Sequence, residues 1–317
     1  MKIAVSIGDP NGVGLEILLK NHKKICKFCN PVYCVDKELL KEAAKILKFK
    51  LPKNLKCVSP KVMPSNIIPK ITPGAIQKES GAYSYASFLQ ALNLTLVGKT
   101  KAMVTLPIHK KAWQLAGVSY AGHTEALRDV FKFENMESKI NGIQNQKAIM
   151  MLGSPKLYVA LFSDHIPLKN VPSLINIESL KEFLLDFAPY VLKMPCGVLG
   201  LNPHAGDFGV LGDEDNVIRE AIRLANASLG KEVFIGPLVP DTAFVGKHLR
   251  YYVAMYHDQG LIPLKTLYFK ESINITLNLP VIRTSVDHGT AFDIAYKNKA
   301  ESKSYINAIK EAILRQC

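Results

Sequence analysis

The sequence predicts an α/β protein whose largely parallel sheets are covered by helices on both faces. Short apolar runs typical of buried strands alternate with stretches of helical periodicity along almost all of the 317 residues. Parallel strands need a crossover connection, usually a helix, so this alternation favours βαβ units over an all-helical or all-β fold. At about 150 residues per domain, the length corresponds to two domains.

Apolar runs bounded by turn-forming residues predict the strands. In chain order, they are residues 2–7, 31–35, 102–106, 148–152, 158–162, 197–201, 233–235, 252–255, 274–277 and 281–283. The first run shows the pattern, because it is almost entirely apolar and stops at the turn Gly8-Asp-Pro-Asn-Gly12.

Apolar residues at three- and four-residue spacing predict the helices. In chain order, these are residues 13–20, 37–47, 79–98, 178–187, 216–229 and 302–314. Asp36 is suited to cap the second helix, because its side chain can accept a hydrogen bond from the first turn. Residues 53–72 carry several prolines and little periodicity, which predicts an extended segment. We place the first domain at 1–110 plus 266–317 and the second at 111–265.

The composition excludes several classes of protein. Hydrophobic residues make up 48% of the chain, enough for a sizeable core, and no apolar run approaches the roughly 20 residues that span a bilayer. The start, MKIAVSIGDP, has too short an apolar stretch for a secretion signal, so we expect a cytoplasmic protein without a membrane anchor.

The net charge of +13 raises the question of an anionic partner. The lysines are scattered along helix faces and loops and are not interleaved with aromatic residues. This pattern favours a solvated basic surface and no nucleic-acid partner. Nucleic-acid binding is kept as an alternative of a different class.

The cysteines include the pair Cys26-x-x-Cys29, followed by Cys34, a spacing found in zinc and redox sites. Cys34 lies in a predicted strand, and no second Cys-x-x-Cys pair follows. We therefore expect free thiols in a reducing compartment.

Histidines come directly after three of the predicted strands, at His165, His204 and His257. In open parallel sheets, ligands bind at the carboxyl ends of the strands. Three neutral imidazoles can hold a divalent cation and leave a coordination position open for substrate. The sequence predicts such a metal site, with the alternative that each histidine caps its own loop.

Other polar residues stand beside predicted strands and helices. Lys265 follows the third histidine, and Arg283 ends a strand, where its planar fork suits a phosphate or carboxylate. His123 and Thr124 stand at a predicted helix start, with Thr124 as a candidate cap. The loop Gly8-Asp-Pro-Asn-Gly-Val-Gly14 is not a dinucleotide fingerprint, and the chain has no Walker lysine and no G-x-S-x-G elbow.

Several segments together resemble one family. They are Gly8-Asp-Pro-Asn-Gly-Val-Gly-Leu-Glu16, Gly122-His-Thr-Glu125, Asn202-Pro-His-Ala-Gly206, Gly236-Pro-Leu-Val-Pro-Asp241-Thr, Tyr256-His-Asp-Gln-Gly260, Asn274-Ile-Thr and Arg283-Thr-Ser-Val-Asp-His-Gly-Thr290. In this order, they resemble the 4-hydroxythreonine-4-phosphate dehydrogenases. The resemblance implies an NAD-dependent enzyme of pyridoxal phosphate biosynthesis. The implied fold is isocitrate/isopropylmalate dehydrogenase-like, with two α/β/α domains and a cleft between them, a fold that binds NAD without the fingerprint.

By position, the resemblance implies a set of site residues. The metal ligands are His165, His204 and His257. The substrate contacts are His123, Thr124, Lys265, Asn274 and Arg283. The segment nearest NAD is Asp287, His288, Gly289 and Thr290. Asp241 and Lys265 are the candidate bases. Ser163-Asp164, before the first metal ligand, departs from the threonine-rich pair we expect there.

The implied reaction is the oxidation and decarboxylation of 4-phosphooxy-L-threonine to 3-amino-2-oxopropyl phosphate. Imidazole ligands favour zinc, with magnesium or cobalt as alternatives. The resemblance also implies a homodimer whose active site is formed by both subunits. Two further alternatives are a dehydrogenase of another phosphorylated hydroxy acid, such as 4-phosphoerythronate, and a metal-dependent hydrolase that needs no NAD.

Overall fold

The computed structural model describes residues 1–61, 68–137, 148–246 and 249–315, with side chains not described at 132–137. The strands are β1 (Lys2–Ser6), β2 (Asn30–Cys34), β3 (Lys56–Cys57), β4 (Ala102–Thr105), β5 (Ile149–Ser154), β6 (Leu157–Leu161), β7 (Cys196–Leu199), β8 (Phe234–Leu238), β9 (Tyr251–Ala254), β10 (Ile273–Leu277) and β11 (Arg283–Val286). The α-helices are α1 (Gly14–Ile25), α2 (Lys37–Leu47), α3 (Lys78–Leu96), α4 (Lys110–Leu115), α5 (His123–Glu137), α6 (Ile177–Phe187), α7 (Glu214–Leu229), α8 (His257–Tyr268) and α9 (Lys303–Leu314). The predicted α/β class is confirmed.

Two compact units divide the chain, Met1–Asn145 with Ile273–Cys317 and Gln146–Ser272. The first unit takes in the described residues 111–137, which we expected in the second domain, and the second unit takes in residues 266–272, which we expected in the first. The reason for the first difference is packing, because α4 and α5 contribute apolar side chains to a core that is shared with α3 and β4. The shared core includes Phe88, Met103, Trp113, Ala126, Leu127 and Phe131.

In the first unit, the strands lie in the order β3-β2-β1-β4-β11-β10. The pairs are parallel except for β10 with β11, which is antiparallel. All four residues of β4 are buried, as expected for a central strand covered on both faces. In this register, Thr276 of β10 stands opposite Arg283 of β11.

In the second unit, the order is β5-β6-β9-β7-β8. β5 and β6 form an antiparallel hairpin, and β6, β9, β7 and β8 pair in parallel. Buried side chains of β5, β6 and β9 pack against Leu261 and Leu264 of α8. The carboxyl ends of β6, β9 and β7 are therefore neighbours at one edge of the sheet.

Several local predictions needed correction. α4 was not predicted, and residues 257–268 form α8 although the segment contains Gly260 and Pro263. The last strand runs over Arg283–Val286, not over residues 281–283. Asp36 stands at the N-cap of α2 but makes no capping bond, because its carboxylate accepts a hydrogen bond from the Tyr83 hydroxyl at 2.7 Å.

Within the predicted extended segment 53–72, β3 forms a short strand, and residues 62–67 lie outside the described part of the chain. Cys26, Cys29, Cys34, Cys57 and Cys196 carry free thiols, as predicted. No helix in the described ranges is both long and apolar enough to cross a bilayer.

Candidate active site

The three histidines singled out in the sequence lie beyond the carboxyl ends of three adjacent parallel strands. His165 follows β6, His257 follows β9, and His204 follows β7. The rings of His165 and His257 come together, with their centroids 5.7 Å apart. They line an open cavity of about 290 Å³ together with Asp164, Tyr256 and Asp258.

Asp258 determines which nitrogen of His257 is available to a ligand. The Nδ1 atom of His257 lies 2.7 Å from Oδ1 of Asp258, and because a carboxylate accepts, the imidazole must donate there. A proton on Nδ1 leaves Nε2 of a neutral ring with its lone pair. Metal-binding histidines commonly have such a carboxylate partner, which orients the ring and raises its basicity.

Side-chain hydrogen bonds connect the ends of the three strands that precede the histidines. The Gln259 side chain accepts from the Met255 amide at 2.7 Å and donates to the Gly200 carbonyl at 2.6 Å, which connects the ends of β9 and β7. The Ser163 hydroxyl donates to the Met255 carbonyl at 2.6 Å, which connects β6 to β9. Ser163, the departure noted in the sequence, thus has a structural role.

His204 is placed differently from the other two histidines. It is exposed, in a 3-10 turn over Pro203–Gly209, and its φ of 53° lies in the left-handed region. The same loop exposes 86% of Phe208 and 78% of Val210. Among the residues that the structure describes, no three His, Cys, Asp or Glu side chains are grouped closely enough to share a cation. A single chain therefore brings together two of the three predicted ligands.

The two candidate bases both belong to the second unit. Asp241 is exposed in the turn that follows β8. Lys265 is half-buried on α8, eight residues after His257, or about 12 Å along the helix axis. Within the described ranges, no hydrogen bond or ion pair connects the Asp241 carboxylate to the histidine pair.

In the first unit, Arg283 is the central charge of the candidate site. Its guanidinium is almost completely buried and makes its hydrogen bonds to the hydroxyls of Thr105 and Thr276. No carboxylate in the described part of the chain pairs with it. Burial lowers the pKa of Arg283 to about 9, because a charged group loses its hydration in the interior.

His123 lies next to this charge. Its ring packs 5.0 Å from the ring of Phe88 and 5.4 Å from that of Trp113, measured between centroids. Burial, and secondly the charge of Arg283, hold the pKa of His123 well below its usual range, so the imidazole is neutral. Its Nε2 atom is buried without a hydrogen-bond partner among the described residues.

Trp113 is itself held in place. Its indole N–H donates to the Ser84 hydroxyl at 2.7 Å. α4, which carries Trp113, runs so close to α3 that a Cβ atom on Gly81 would overlap the carbonyl oxygen of Ala112. Only glycine permits this approach of the two helices.

Two more predicted substrate contacts lie in the same unit. Asn274 is two residues from Thr276 on β10, so the two side chains share one face of the sheet. The Oδ1 atom of Asn274 is buried and has no hydrogen-bond partner in the described ranges. Thr124 is buried in the first turn of α5, which begins at His123, so Thr124 is not the cap residue we expected.

The predicted NAD segment follows β11 and contacts the glycine-rich loop after β1. The Thr290 carbonyl accepts from the Val13 amide at 3.0 Å, and a Cβ on Gly12 would lie 2.9 Å from the same oxygen. His288 donates from Nδ1 to the Gly289 carbonyl at 2.9 Å. Its Nε2 atom is buried and unpartnered within the described ranges, so it can accept a hydrogen bond from a ligand.

Comparison with known proteins identifies the family. The family model of the pyridoxal phosphate biosynthetic protein PdxA matches residues 27–312. The chain belongs to the PdxA family. A 4-hydroxythreonine-4-phosphate dehydrogenase from Sulfurimonas denitrificans is 52% identical over 99% of this chain and 97% of its own length. One from Helicobacter pylori strain P12 is 46% identical over 98% of each chain.

Solved structures show the same fold. The 4-hydroxythreonine-4-phosphate dehydrogenase from Klebsiella pneumoniae superposes with a TM-score of 0.79 at 31% identity, covering 98% of this chain and 96% of that one. A terephthalate 1,2-cis-dihydrodiol dehydrogenase from Burkholderia xenovorans shares the fold, with a TM-score of 0.66 at 24% identity, over 98% of this chain and 97% of that one. The chain is thus a dehydrogenase of the family that serves pyridoxal phosphate biosynthesis.

Sequence reasoning missed several residues of this candidate site. Thr105 ends β4 in the structure, but it lies inside the predicted strand 102–106, so the rule that selected the three histidines, a polar residue after an apolar run, did not select it. Trp113 and Thr276 gave no such signal. Their roles depend on a contact between α4 and α5 and on the register of β10 with β11.

Proposed function

We propose that the protein oxidises and decarboxylates 4-phosphooxy-L-threonine to 3-amino-2-oxopropyl phosphate, with NAD as hydride acceptor and a divalent cation at the histidine pair. The observation that carries the proposal is the buried guanidinium of Arg283, which has no carboxylate partner in the described part of the chain. Burying an unpaired charge is costly, so a site that keeps one is suited to an anionic ligand. The substrate's phosphate and carboxylate are such anions.

Two residues of the same unit, His123 and Asn274, offer hydrogen-bond acceptors for the polar groups of the substrate. Neutral His123 offers a buried Nε2 atom, and Asn274 offers a buried carbonyl oxygen that requires a donor. The amino and hydroxyl groups of the substrate can donate to such acceptors. A bound substrate would satisfy polar atoms that the described residues leave without partners.

His165 and His257 fit a divalent cation by their chemistry. Both are imidazoles, and the bond from His257 to Asp258 leaves the Nε2 atom as the available donor. Imidazole donors favour zinc over magnesium, with cobalt also suitable. These two imidazoles would hold the cation, which would supply stabilisation of negative charge on the substrate oxygen.

The protein's remaining task is to move a proton and to hold NAD. Lys265 and Asp241 are the proposed bases for the substrate hydroxyl. Lys265 shares α8 with His257, which favours it over Asp241 in its exposed turn. For NAD, the segment from Asp287 to Thr290 is proposed, supported by the buried Nε2 atom of His288.

We also propose a homodimer in which His204 of the partner subunit completes the ligand set. Two observations support this. His204 lies apart from the pair within its own chain, and its loop exposes the apolar side chains of Phe208 and Val210. Apolar side chains of this size are typical of subunit interfaces.

The test of the reaction follows NADH absorbance with 4-phosphooxy-L-threonine and, in parallel, 4-phosphoerythronate, each with zinc, magnesium or cobalt. A higher kcat/KM with 4-phosphooxy-L-threonine supports the proposal. A higher kcat/KM with 4-phosphoerythronate would show that the proposed substrate is wrong. Absence of NADH with both, with metal present, would end the dehydrogenation proposal. Metal analysis of His204→Ala should show loss of the metal, and the NADH assay should show loss of turnover.

The shared site has its own test. Separately purified His204→Ala and His257→Ala proteins are each expected to be inactive. After subunit exchange of equal amounts, half the dimers are mixed, and each mixed dimer has one intact site. Activity should therefore return to about a quarter of the unmutated level. No recovery, after exchange has been verified by tagged subunits, would show that the ligands come from one chain.

A further inference from the structure

We propose that Thr105 and Thr276 are the positioning residues that fix the Arg283 guanidinium and direct its unused N–H groups toward the substrate. The inference rests on the proposed function and deepens it, because it names the groups that determine how the anion is held. Both threonines are buried, Thr105 with no exposed surface and Thr276 with 1%.

The hydrogen bonds come from two strands on either side of β11. The Thr105 hydroxyl of β4 accepts from Nε of Arg283 at 3.1 Å and from Nη2 at 2.8 Å. The Thr276 hydroxyl of β10 accepts from Nη1 at 3.0 Å. Because β4, β11 and β10 are hydrogen-bonded neighbours, the guanidinium is held by the sheet itself rather than by a loop.

Counting the donors shows how many remain for a ligand. A guanidinium has five N–H groups in one plane. Three are used by the two hydroxyls, which leaves one N–H on each terminal nitrogen. Two N–H groups on neighbouring nitrogens are the donors that bind phosphate or carboxylate in bidentate fashion.

The choice of hydroxyl partners also has an electrostatic consequence. A carboxylate at either position would hold the guanidinium equally well but would cancel its charge. Hydroxyls orient Arg283 and leave its full positive charge for the ligand. Because burial weakens solvent screening, that charge acts strongly on an anion beside it.

The first experiment compares Thr105→Val, Thr276→Val and Thr105→Ser in steady-state kinetics with 4-phosphooxy-L-threonine. Thr105→Val should raise KM about ten- to a hundredfold with kcat nearly unchanged, because it removes two bonds to a charged group. Thr276→Val should raise KM less, about three- to tenfold, and Thr105→Ser should stay within about threefold of the unmutated value.

Thr284→Val is the matched control. Thr284 is as buried as Thr105 and directly follows Arg283 on β11. Its hydroxyl, however, donates to the Ala308 carbonyl, on the other side of the strand. The control should keep its KM even where it loses stability. A KM for Thr105→Val equal to that of Thr284→Val would overturn the proposal.

A double-mutant cycle shows whether Thr105 acts through Arg283. In an Arg283→Lys background, Thr105→Val should change KM by less than about twofold, because the guanidinium that Thr105 orients is already absent. An undiminished effect in that background would contradict the role proposed for Thr105.

Isothermal titration with inorganic phosphate separates this inference from the proposed reaction. Phosphate should bind the unmutated protein, and Thr105→Val should weaken it by a factor similar to that on KM, whether or not NADH is formed. Equal phosphate binding by Thr105→Val and the unmutated protein would reject the positioning role, and it would leave the dehydrogenase assay unaffected.

Discussion

The two units carry their candidate groups in opposite environments. In the first unit, Arg283 and His123 are buried, fixed by hydroxyls and by aromatic rings. In the second unit, His165 is exposed, and His257 keeps 36% of its side chain exposed beside an open cavity. Arg283 lies in a strand, and His165 and His257 lie just beyond strands, whereas His123 begins α5. The difference in exposure comes from the side chains that surround each group.

The contrast shows what each environment is suited to do. A buried guanidinium has lost its hydration and gains most from an anion that meets its fixed donors, which favours selective recognition. Exposed imidazoles cost little to desolvate and can adjust to a cation and to groups from another chain. The proposed function therefore assigns recognition of the substrate's charge to the first unit and metal binding to the second.

The largest effect is expected from removing the buried charge. Arg283→Met should lower kcat/KM about 10²- to 10³-fold, because loss of a buried charged partner costs about 2–5 kcal/mol. The free energy of unfolding should change by less than about 1 kcal/mol, since the variant also removes an unpaired buried charge. Steady-state kinetics and urea unfolding provide the measurements.

The control is Arg223→Met, which removes an exposed arginine paired with Glu220 at 2.7 Å. It should keep kcat/KM. If Arg283→Met retained activity within about threefold of the unmutated protein, recognition of the anion would have to be assigned elsewhere.

An intermediate effect is expected at the histidine pair. Asp258→Asn should weaken metal binding about tenfold, because the amide is a poorer acceptor for the proton on Nδ1 of His257. Competition with a chromogenic chelator measures the affinity. Glu178→Gln, on α6 of the same unit, removes another exposed acidic side chain and should leave the affinity unchanged. Equal affinities for the two variants would show that Asp258 does not orient a ligand.

The smallest effect is a pH dependence of stability that comes from the first unit. The pKa of His123 in the folded protein lies well below its ordinary value of 6.5. Below pH 6.5, the unfolded chain therefore binds a proton that the folded protein does not, and the free energy of unfolding falls as the pH falls. The contribution is up to about 1.4 kcal/mol per pH unit.

Urea unfolding of His123→Leu between pH 6.5 and 5 measures this contribution as a reduced slope against pH. Leu127→Ala, in the same core cluster, lowers stability without removing a titrating group and should keep the original slope. A slope for His123→Leu that matches the unmutated protein would mean that the folded protein protonates His123 as readily as the unfolded chain does.

Much of the fold could be predicted because local signals agreed with the tertiary structure. The helix over Lys37–Leu47 was located to the residue, since its apolar spacing and the preceding aspartate coincide. α8 was missed because Gly260 and Pro263 have low helix propensity. Burial of Leu261 and Leu264 in the core outweighs that low propensity. The division into units was misplaced because no linker composition marks residues 111–145.

The site residues that could be predicted are those beside the end of a strand, because strand ends can be recognised in the sequence. His165, His204, His257 and Arg283 each adjoin an apolar run. Their partners depend on register and packing instead, as with Thr276 opposite Arg283 and Trp113 against His123. Sequence alone also could not show that His204 would lie apart from the other two histidines, because that depends on the path of the Pro203–Gly209 turn.

Gly81 has a consequence for how this chain tolerates mutation. Any side chain there would push α4 away from α3, and Trp113 would move with it, away from the ring of His123. A systematic mutational survey that selects for growth without added pyridoxal should therefore find position 81 intolerant of every replacement, including alanine. A residue that touches no ligand would rank beside those that do.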